Sequence, residues 1–385
     1  MTTTTPSPVT RPRWARRILP TALLAATLTA VGLPAATASP TDDVRNQIFG
    51  TKTVVARGLD NPRQLSLVGN GQLYIAEAGH GGSTCIGEGE DALCVGGTGA
   101  ISQILVPQTA SNVTPRRIVT GLFSGAGPSG AFATGADGVS AASATELYIA
   151  VTGGDPEGPV PPGADQAGKL LRSGYLQPTR VIADIAGYEA ANDPDGQGVE
   201  SNPYATLVVN KNLTLVADAA ANTVLAVSKQ GAVSVFAVLP NITGGDCDQR
   251  PNEDGSFSCD FVPTSLALGP DGGIYVGGLG AEAPGAGTVI KYSPAGAPLA
   301  TWTGFTDVTG VAVGSDGSLY VSELFAGDVV KVAPGGARSA IAVPFPAGLA
   351  VDAQSNVYVA AYSVAPATGD LFGPDSSGQI WRIRF

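Results

Sequence analysis

The chain has one histidine, His80, among 385 residues, and this scarcity excludes much familiar enzyme chemistry. A Ser-His-Asp triad, a zinc site with histidine ligands and a histidine proton shuttle would each have to use that residue. Lysine and arginine are also few, 21 against 32 acidic residues, and no basic cluster follows the N-terminal region. We therefore do not expect this acidic chain to bind nucleic acid.

Residues 1–38 differ from the rest and predict a secretory signal peptide. Four arginines precede the apolar stretch 18–33, and Ala36-Thr37-Ala38 provides the small residues of a cleavage site. That stretch is too short and too interrupted by proline for a membrane span, and no later run is long enough. We expect cleavage after Ala38, a secreted extracellular protein, a flexible linker over 39–50 and one domain over 51–385. Because four arginines leave with the peptide, the net charge of −11 becomes more negative still.

Four cysteines remain, which allows three disulfide connectivities. Cys85 and Cys94 share one predicted loop, and Cys247 and Cys259 share another, so two local disulfides are the simplest pairing. A zinc site and a catalytic thiol are the alternatives, but neither spacing is a CxxC and no histidine accompanies either pair.

A short sequence pattern recurs six times. It consists of a turn, an apolar strand, a tight polar turn, and a strand that begins with aliphatic residues and often ends with an acid. The second strand of each copy is found at 73–77, 147–151, 214–218, 274–278, 319–323 and 357–361. Four strands per unit at a spacing of roughly 35 to 70 residues are typical of a β-propeller. The abundant glycine and low charge suit such a turn-rich protein and leave helices unexpected.

The last unit lacks a fourth strand, because the chain stops at Phe385 directly after its third. An unassigned strand, Thr53–Arg57, precedes the first unit. We therefore predict an all-β, six-bladed β-propeller with four-stranded antiparallel blades, in which the N-terminal strand completes the last blade.

The predicted long loops, 79–98, 121–137, 153–167, 184–203, 240–262 and 362–378, all emerge on one face of this ring. We refer to it as the long-loop face, where binding or catalysis is expected. Second strands end at the same face, so Glu77, Asp218 and Glu323, with the loop residues Glu200 and Asn202, predict a calcium site at the channel mouth. The alternative is that each acid binds backbone amide groups and has a structural role.

Other residues of this face are candidates for contacts with a ligand. They are Asn61, Arg63, His80, Asp137 and Tyr204. Arg63 could hold an anionic group. For His80, the alternative interpretation is an exposed histidine in a loop with no role in binding. Residues 192–200 open like a calcium loop with D-x-D-G, but the glutamate comes too early for an EF-hand, and Asx turns explain the pattern more simply.

The chain resembles the ScyD/ScyE family of exported bacterial propellers. The resemblance covers residues 51–385, and the segments that carry it are 58–63, 73–79 with the Cys85/Cys94 loop, 98–101 and 200–204. It implies a secreted six-bladed propeller of undefined biochemical activity. NHL and SMP-30 gluconolactonase-like propellers are similar more distantly, through Asn202-Pro203 and the strand that ends at Asp218. Two of the usual lactonase ligands are missing, since Asn61-Pro62-Arg63 and Val262-Pro263-Thr264 stand in their places.

Two functions follow. The first is a non-catalytic, monomeric propeller that binds a small molecule, glycan or envelope protein through its long-loop face. The alternative is a calcium-assisted hydrolase or lyase, with the ion at the channel mouth and Arg63 on an anionic substrate. The missing lactonase ligands favour the first function. Calcium is the one cofactor that the sequence suggests.

Overall fold

The computed structural model describes residues 46–47, 50–69, 71–153, 164–174, 177–252, 255–369 and 377–385. The predicted signal peptide and most of the predicted linker lie outside them. The strands are β1 Asn46–Gln47, β2 Thr51–Leu59, β3 Pro62–Val68, β4 Gln72–Glu77, β5 Thr84–Ile86, β6 Leu93–Leu105, β7 Arg116–Ala126, β8 Thr134–Ser143, β9 Glu146–Val151, β10 Lys169–Gly174, β11 Gln177–Asp184, β12 Pro203–Asn210, β13 Leu213–Asp218, β14 Thr223–Ser228, β15 Val233–Val238, β16 Pro263–Leu268, β17 Ile274–Gly278, β18 Gly287–Tyr292, β19 Pro298–Phe305, β20 Val308–Val313, β21 Leu319–Glu323, β22 Asp328–Val332, β23 Arg338–Ala342, β24 Leu349–Val351, β25 Val357–Ala361 and β26 Gly378–Arg384. One α-helix, α1, spans Ile185–Asn192, and single 3₁₀ turns lie at Gly89–Asp91 and Gly245–Gln249.

These strands form four-stranded antiparallel groups, as the repeat predicts. In chain order the groups are β3-β4-β6-β7, β8 to β11, β12 to β15, β16 to β19, β20 to β23, and β24-β25-β26 with β2; we number them blades 1 to 6. The first strands of consecutive blades contact one another, and β24 of blade 6 contacts β3 of blade 1. The prediction of an all-β propeller is therefore confirmed.

The N-terminal strand completes the last blade, as predicted. β2 pairs antiparallel with β26, with Thr51 opposite Arg384 and Leu59 opposite Gly378. Val55 and Ala56 of β2 are fully buried in a cluster that also holds Tyr358 and Ile380. Just before this strand, Asn46–Gln47 of the predicted flexible linker pairs in parallel with β23.

The second strand of most blades is buried on both faces. Residues 73–77 of β4 and all of β21 and β25 are buried along their length, without the alternation of a half-exposed strand. Each such strand is packed between two neighbouring blades, so both of its faces meet apolar side chains. Tyr74, Tyr320 and Tyr358 are among the largest fully buried side chains, and burying one such side chain stabilises the fold by about 1.5–3 kcal/mol.

Two features of the long-loop face depart from the sequence predictions. The connection 184–203 contains helix α1, although composition left helices unexpected. Asp184 caps it, accepting a hydrogen bond from the Gly187 N–H at 2.9 Å, and Ile185 packs into the core beside Leu170 and Val216. Strand β7 also continues into the predicted loop 121–137 and pairs there with β8, so blades 1 and 2 share one sheet.

The two predicted disulfides are both present. Cys85 is bonded to Cys94, and Cys247 to Cys259, and no free cysteine occurs in the described part of the chain. Both bonds lie in connections of the long-loop face: the first joins β5 to β6, and the second closes a loop within the connection between β15 and β16. No helix among the described residues is long and apolar enough to cross a membrane.

Candidate functional site

The acids that end the second strands of blades 1, 3 and 5 occupy equivalent positions. Glu77 accepts a hydrogen bond from the Asp60 N–H at 2.8 Å. Asp218 accepts one from the Asn202 N–H at 2.5 Å, and Glu323 one from the Thr306 N–H at 2.5 Å. Each amide lies just before the first strand of the same blade. The three acids thus fasten the start of a blade to its second strand, the structural role that was the alternative to metal binding.

Glu77 makes more contacts than the other two. The Ser102 hydroxyl donates to Oε1 at 2.5 Å, and the Arg117 guanidinium donates to Oε1 at 3.1 Å and to Oε2 at 2.7 Å. Four donors therefore surround this fully buried carboxylate. Its lone pairs are occupied by the protein itself, which leaves little capacity for a cation.

The predicted calcium ligands are not brought to one point. Among the described residues, no three of the acids Glu77, Glu200, Asp218 and Glu323 place carboxylate oxygens within 4.8 Å of one another. Asp218 is buried, and burial raises its pKa to about 6. Hydrogen bonds from the Ser201 hydroxyl and from backbone amides lower the pKa and offset part of this rise. Glu200 is half-buried. Asn202 is buried, and none of the described residues forms a hydrogen bond with its Oδ1.

Three predicted ligand-binding residues form an internal network instead. The buried Arg63 donates to the Ser363 carbonyl at 2.9 Å, to the Ala133 carbonyl at 2.5 Å and to Asp137 at 3.3 Å. Burial raises the pKa of Asp137, and the charge of Arg63 lowers it in part. These bonds join blade 1 to blade 2 and to the connection after β25, so Arg63 has a structural partner for each nitrogen.

Asn61 extends the same network through its side-chain amide. It donates to the carbonyls of Gly79 and Gly130, both at 2.8 Å, and accepts from the Ala133 N–H at 3.3 Å. Tyr204 is buried beside Arg63 and Asp137, and burial raises its pKa to about 12. Neither side chain is available at the surface.

Gln64 was not predicted as a site residue, yet it spans the ring. Its amide donates to the carbonyls of Thr264 in blade 4 and Thr309 in blade 5, both at 2.8 Å. A side chain from blade 1 therefore reaches the far side of the channel. The one signal in the sequence for this contact with blades 4 and 5 is that Gln64 directly follows Arg63 in the first strand of blade 1.

His80 is the predicted ligand-binding residue that remains half-exposed. Its Nδ1 lies 3.1 Å from Asp60 Oδ2, which also accepts from Arg117 at 2.8 Å. The ring is therefore held at the surface by Asp60, whose own N–H donates to Glu77.

Asp193 and Asp195, for which the sequence favours Asx turns, form an acidic cluster with Glu189 of α1. Glu189 on α1 and Asp193 and Asp195 after it each place one carboxylate oxygen within 4.8 Å of the others. Glu189 is fully buried, and within the described part of the chain neither of its oxygens has a hydrogen-bond partner. Burial, and then the charges of Asp218, Asp195 and Asp193, raise its pKa to about 9. The D-x-D-G pattern was the available signal, but Glu189 belongs to a helix that was not predicted.

Large apolar side chains are exposed beside both disulfides. Ile86 follows Cys85 and is 44% exposed, and Phe257 lies within the loop that Cys247 and Cys259 close and is 61% exposed. Phe325, between β21 and β22, is 41% exposed. All three lie on connections of the long-loop face.

No protein-family model and no curated protein matches the chain. Among solved structures, a Bacteroides thetaiotaomicron protein of unknown function is 10% identical, with a TM-score of 0.51 over 87% of this chain and 76% of that one. The calcium-binding protein regucalcin of Agrobacterium tumefaciens is 11% identical, with a TM-score of 0.48 over 87% and 96% of the chains. Virginiamycin B lyase of Staphylococcus aureus is 11% identical, with a TM-score of 0.44 over 87% and 99%. Identities this low speak for the fold alone: the chain is similar to known β-propellers, and the ScyD/ScyE resemblance stays a prediction.

Proposed function

We propose that this protein is a secreted, non-catalytic propeller that binds a partner protein through its long-loop face. The observation that carries the proposal is the pairing of each disulfide with an exposed apolar side chain, Ile86 in one loop and Phe257 in the other. A large side chain on a fixed loop loses little conformational entropy when it is covered, which favours its use as an anchor in an interface.

The charges around these side chains suggest the chemistry of the partner. Glu88 and Glu90 are exposed next to Ile86, and Asp246 and Asp248 are exposed in the loop of Phe257. A partner surface with apolar residues flanked by lysine or arginine would complement this face in shape and charge. An envelope protein with such a surface is the partner class that we favour over a small molecule.

The alternative function, a calcium-assisted hydrolase or lyase, needs free polar groups at the channel mouth. Arg63, Asp137, Asn61 and Glu77 are all engaged by other groups of the protein. A catalytic acid or base must be within hydrogen-bond reach of a substrate proton, and these buried residues offer no such approach. Their contacts favour binding over catalysis.

The proposal is tested by changing the anchors and comparing them with similar side chains on the opposite face. The mature protein and the triple variant Ile86→Ser, Phe257→Ser, Phe325→Ser are immobilised, and proteins from the native cell envelope are passed over both. A matched variant carries Leu105→Ser and Leu268→Ser, which are 58% and 42% exposed at the turns of the other face.

We expect a specific partner to bind the wild type and the matched variant and to be lost from the triple variant. Direct titration of the purified partner should then show a loss of affinity of roughly 100-fold or more, as for removal of central interface anchors. Retention of the partner by the triple variant, or equal loss from the matched variant, would refute binding through this face. Hydrolysis of lactones or esters by the wild type would refute the non-catalytic assignment.

A further inference from the structure

The acidic cluster of Glu189, Asp193 and Asp195 has the spacing of ligands that share one ion. Their carboxylate oxygens lie within 4.8 Å of one another. Oxygens that coordinate calcium at about 2.3–2.6 Å lie no more than about 5 Å apart. A single ion can therefore contact all three side chains where they stand.

Glu189 gives an independent reason to expect a ligand. Its side chain is 0% exposed, and both carboxylate oxygens lack a hydrogen-bond partner among the residues that the structure describes. Leaving such a group buried and unsatisfied is unfavourable, because water is lost and nothing replaces it. A cation would supply the missing partner to both oxygens.

The position of the cluster on α1 points to a cation as well. The helix ends at Asn192, and Asp193 follows at its C-terminus in a left-handed conformation with φ of 40°. Carbonyl groups give this end of a helix a partial negative charge, so acids are unfavourable there and cations favourable. No basic residue lies in the last turn, and no ion pair of the described residues joins the three acids to lysine or arginine.

The neighbouring turns hold two of the acids in place without occupying them. The Gln197 N–H donates to Asp195 Oδ1 at 3.0 Å, the Asn222 amide donates to Asp195 Oδ2 at 3.3 Å, and the Gly198 N–H donates to Asp193 Oδ1 at 3.3 Å. The Asx turns expected from the sequence are thus present. The Gln197 side-chain amide also donates to Asp195 Oδ2 at 3.5 Å. Asp195 Oδ1 and Asp193 Oδ1 each accept one of these bonds and can accept a further contact, so the turns orient the acids and leave room for an ion.

Two further oxygen atoms lie on residues next to Asp218 in blade 3, the blade whose Asn222 contacts Asp195. These atoms, Asn202 Oδ1 and Thr223 Oγ1, are buried and lack hydrogen-bond partners in the described ranges of the chain. Asn202 donates its N–H to Asp218, and Thr223 is opposite Asp218 in the pairing of β13 with β14. Calcium takes six to eight oxygen ligands, whereas zinc prefers nitrogen and sulfur. An all-oxygen neighbourhood therefore favours calcium.

We propose that Glu189, Asp193 and Asp195 bind one calcium ion at the C-terminus of α1, beside blade 3. The site differs from the predicted channel-mouth site, whose acids Glu77 and Glu323 bind backbone amides. Because Asp195 also contacts Asn222 of blade 3, the ion would tie the connection 184–203 to that blade. The site is independent of the proposed partner binding and of its test.

The test uses the mature chain after EDTA treatment and dialysis. Calcium chloride is titrated into it by calorimetry at pH 7, and the thermal unfolding midpoint is measured with EDTA and with calcium. The variants are Glu189→Gln and Asp193→Asn, with Asp246→Asn as the matched control, since Asp246 is an exposed acid of the same face.

We expect one calcium per chain and a higher unfolding midpoint with calcium for the wild type and for Asp246→Asn. Glu189→Gln should weaken binding by roughly 100-fold or more, beyond the usual effect of losing an indirect contact. This variant should fold as well as the wild type in EDTA. Glutamine has nearly the same size and shape as glutamate, so the packing around position 189 is kept.

Absence of calcium binding by the wild type would overturn the proposal. So would unchanged affinity in both Glu189→Gln and Asp193→Asn, because the ion would then lie elsewhere. Magnesium chloride provides a last comparison, and binding of magnesium as tight as that of calcium would overturn the choice of ion.

Discussion

Replacement of Glu77 by glutamine separates the structural role of this acid from metal binding. The substitution removes a buried negative charge that accepts from the Asp60 N–H, the Ser102 hydroxyl and two nitrogens of Arg117. The amide nitrogen of glutamine would also face donors in place of an acceptor. Breaking a buried ion pair costs about 3–5 kcal/mol. We expect the lower end, about 3 kcal/mol, because the Arg117 side chain is 40% exposed and can turn to water.

The assay is urea unfolding followed by tryptophan fluorescence, with EDTA and with calcium. The loss of about 3 kcal/mol for Glu77→Gln should be the same in both buffers. The control is Glu146→Gln, because Glu146 pairs with Arg172 at 3.5 Å where both side chains are partly exposed. Such a pair contributes less than about 1 kcal/mol. If Glu77→Gln were as stable as the wild type in EDTA and lost only the stabilisation by calcium, the structural interpretation would be refuted.

Three other predictions concern different parts of the ring. Burial, and then the charge of Glu282, raise the pKa of Asp307 to about 6. The contribution of Asp307 to the free energy of unfolding is therefore most favourable below pH 4, where the carboxyl is neutral, and declines as pH rises through 6. Asp307→Asn should therefore raise stability by about 2 kcal/mol at pH 8 and change little at pH 4 in paired urea titrations; equal effects at both pH values would contradict this. The double change Cys247→Ser, Cys259→Ser opens a loop with a sequence separation of 12 residues and should cost about 3 kcal/mol, checked by comparison with the reduced wild type. Removal of residues 51–59 leaves blade 6 without β2 and should abolish cooperative unfolding in scanning calorimetry, whereas an intact single transition would show that closure is unnecessary.

The sequence was sufficient for the fold because the repeat is local and periodic. The strand at 319–323 and its equivalents match β21 and the other second strands, and the orphan strand at 53–57 lies within β2. The two cysteine pairs that lie close together in the sequence form the two disulfides, as predicted. Helix α1 was missed because it occurs once, has only eight residues and depends on packing of Ile185 against blades 2 and 3.

The candidate site was harder to predict, since its chemistry depends on contacts distant in the sequence. The sequence predicts Arg63 as an anion binder, but its partners Ala133 and Ser363 lie 70 and 300 residues away in the chain. Nothing in the local pattern shows that these carbonyls are within reach. The same limit applies to Glu189, whose lack of partners appears only when the helix is packed.

The pairing of β2 with β26 has a consequence for how the chain can fold. Thr51 pairs with Arg384, and β2 precedes β26 in the chain by more than 300 residues. Strand β2 can therefore pair with β26 only after the residues between them have been synthesised. Contacts between such distant segments slow folding, since the loop between them must be ordered first. Until then β2 presents unpaired backbone groups along its length, a template for pairing with another chain. Correct folding therefore requires β26 to pair with β2 before the exposed edge of β2 pairs with a strand of another molecule.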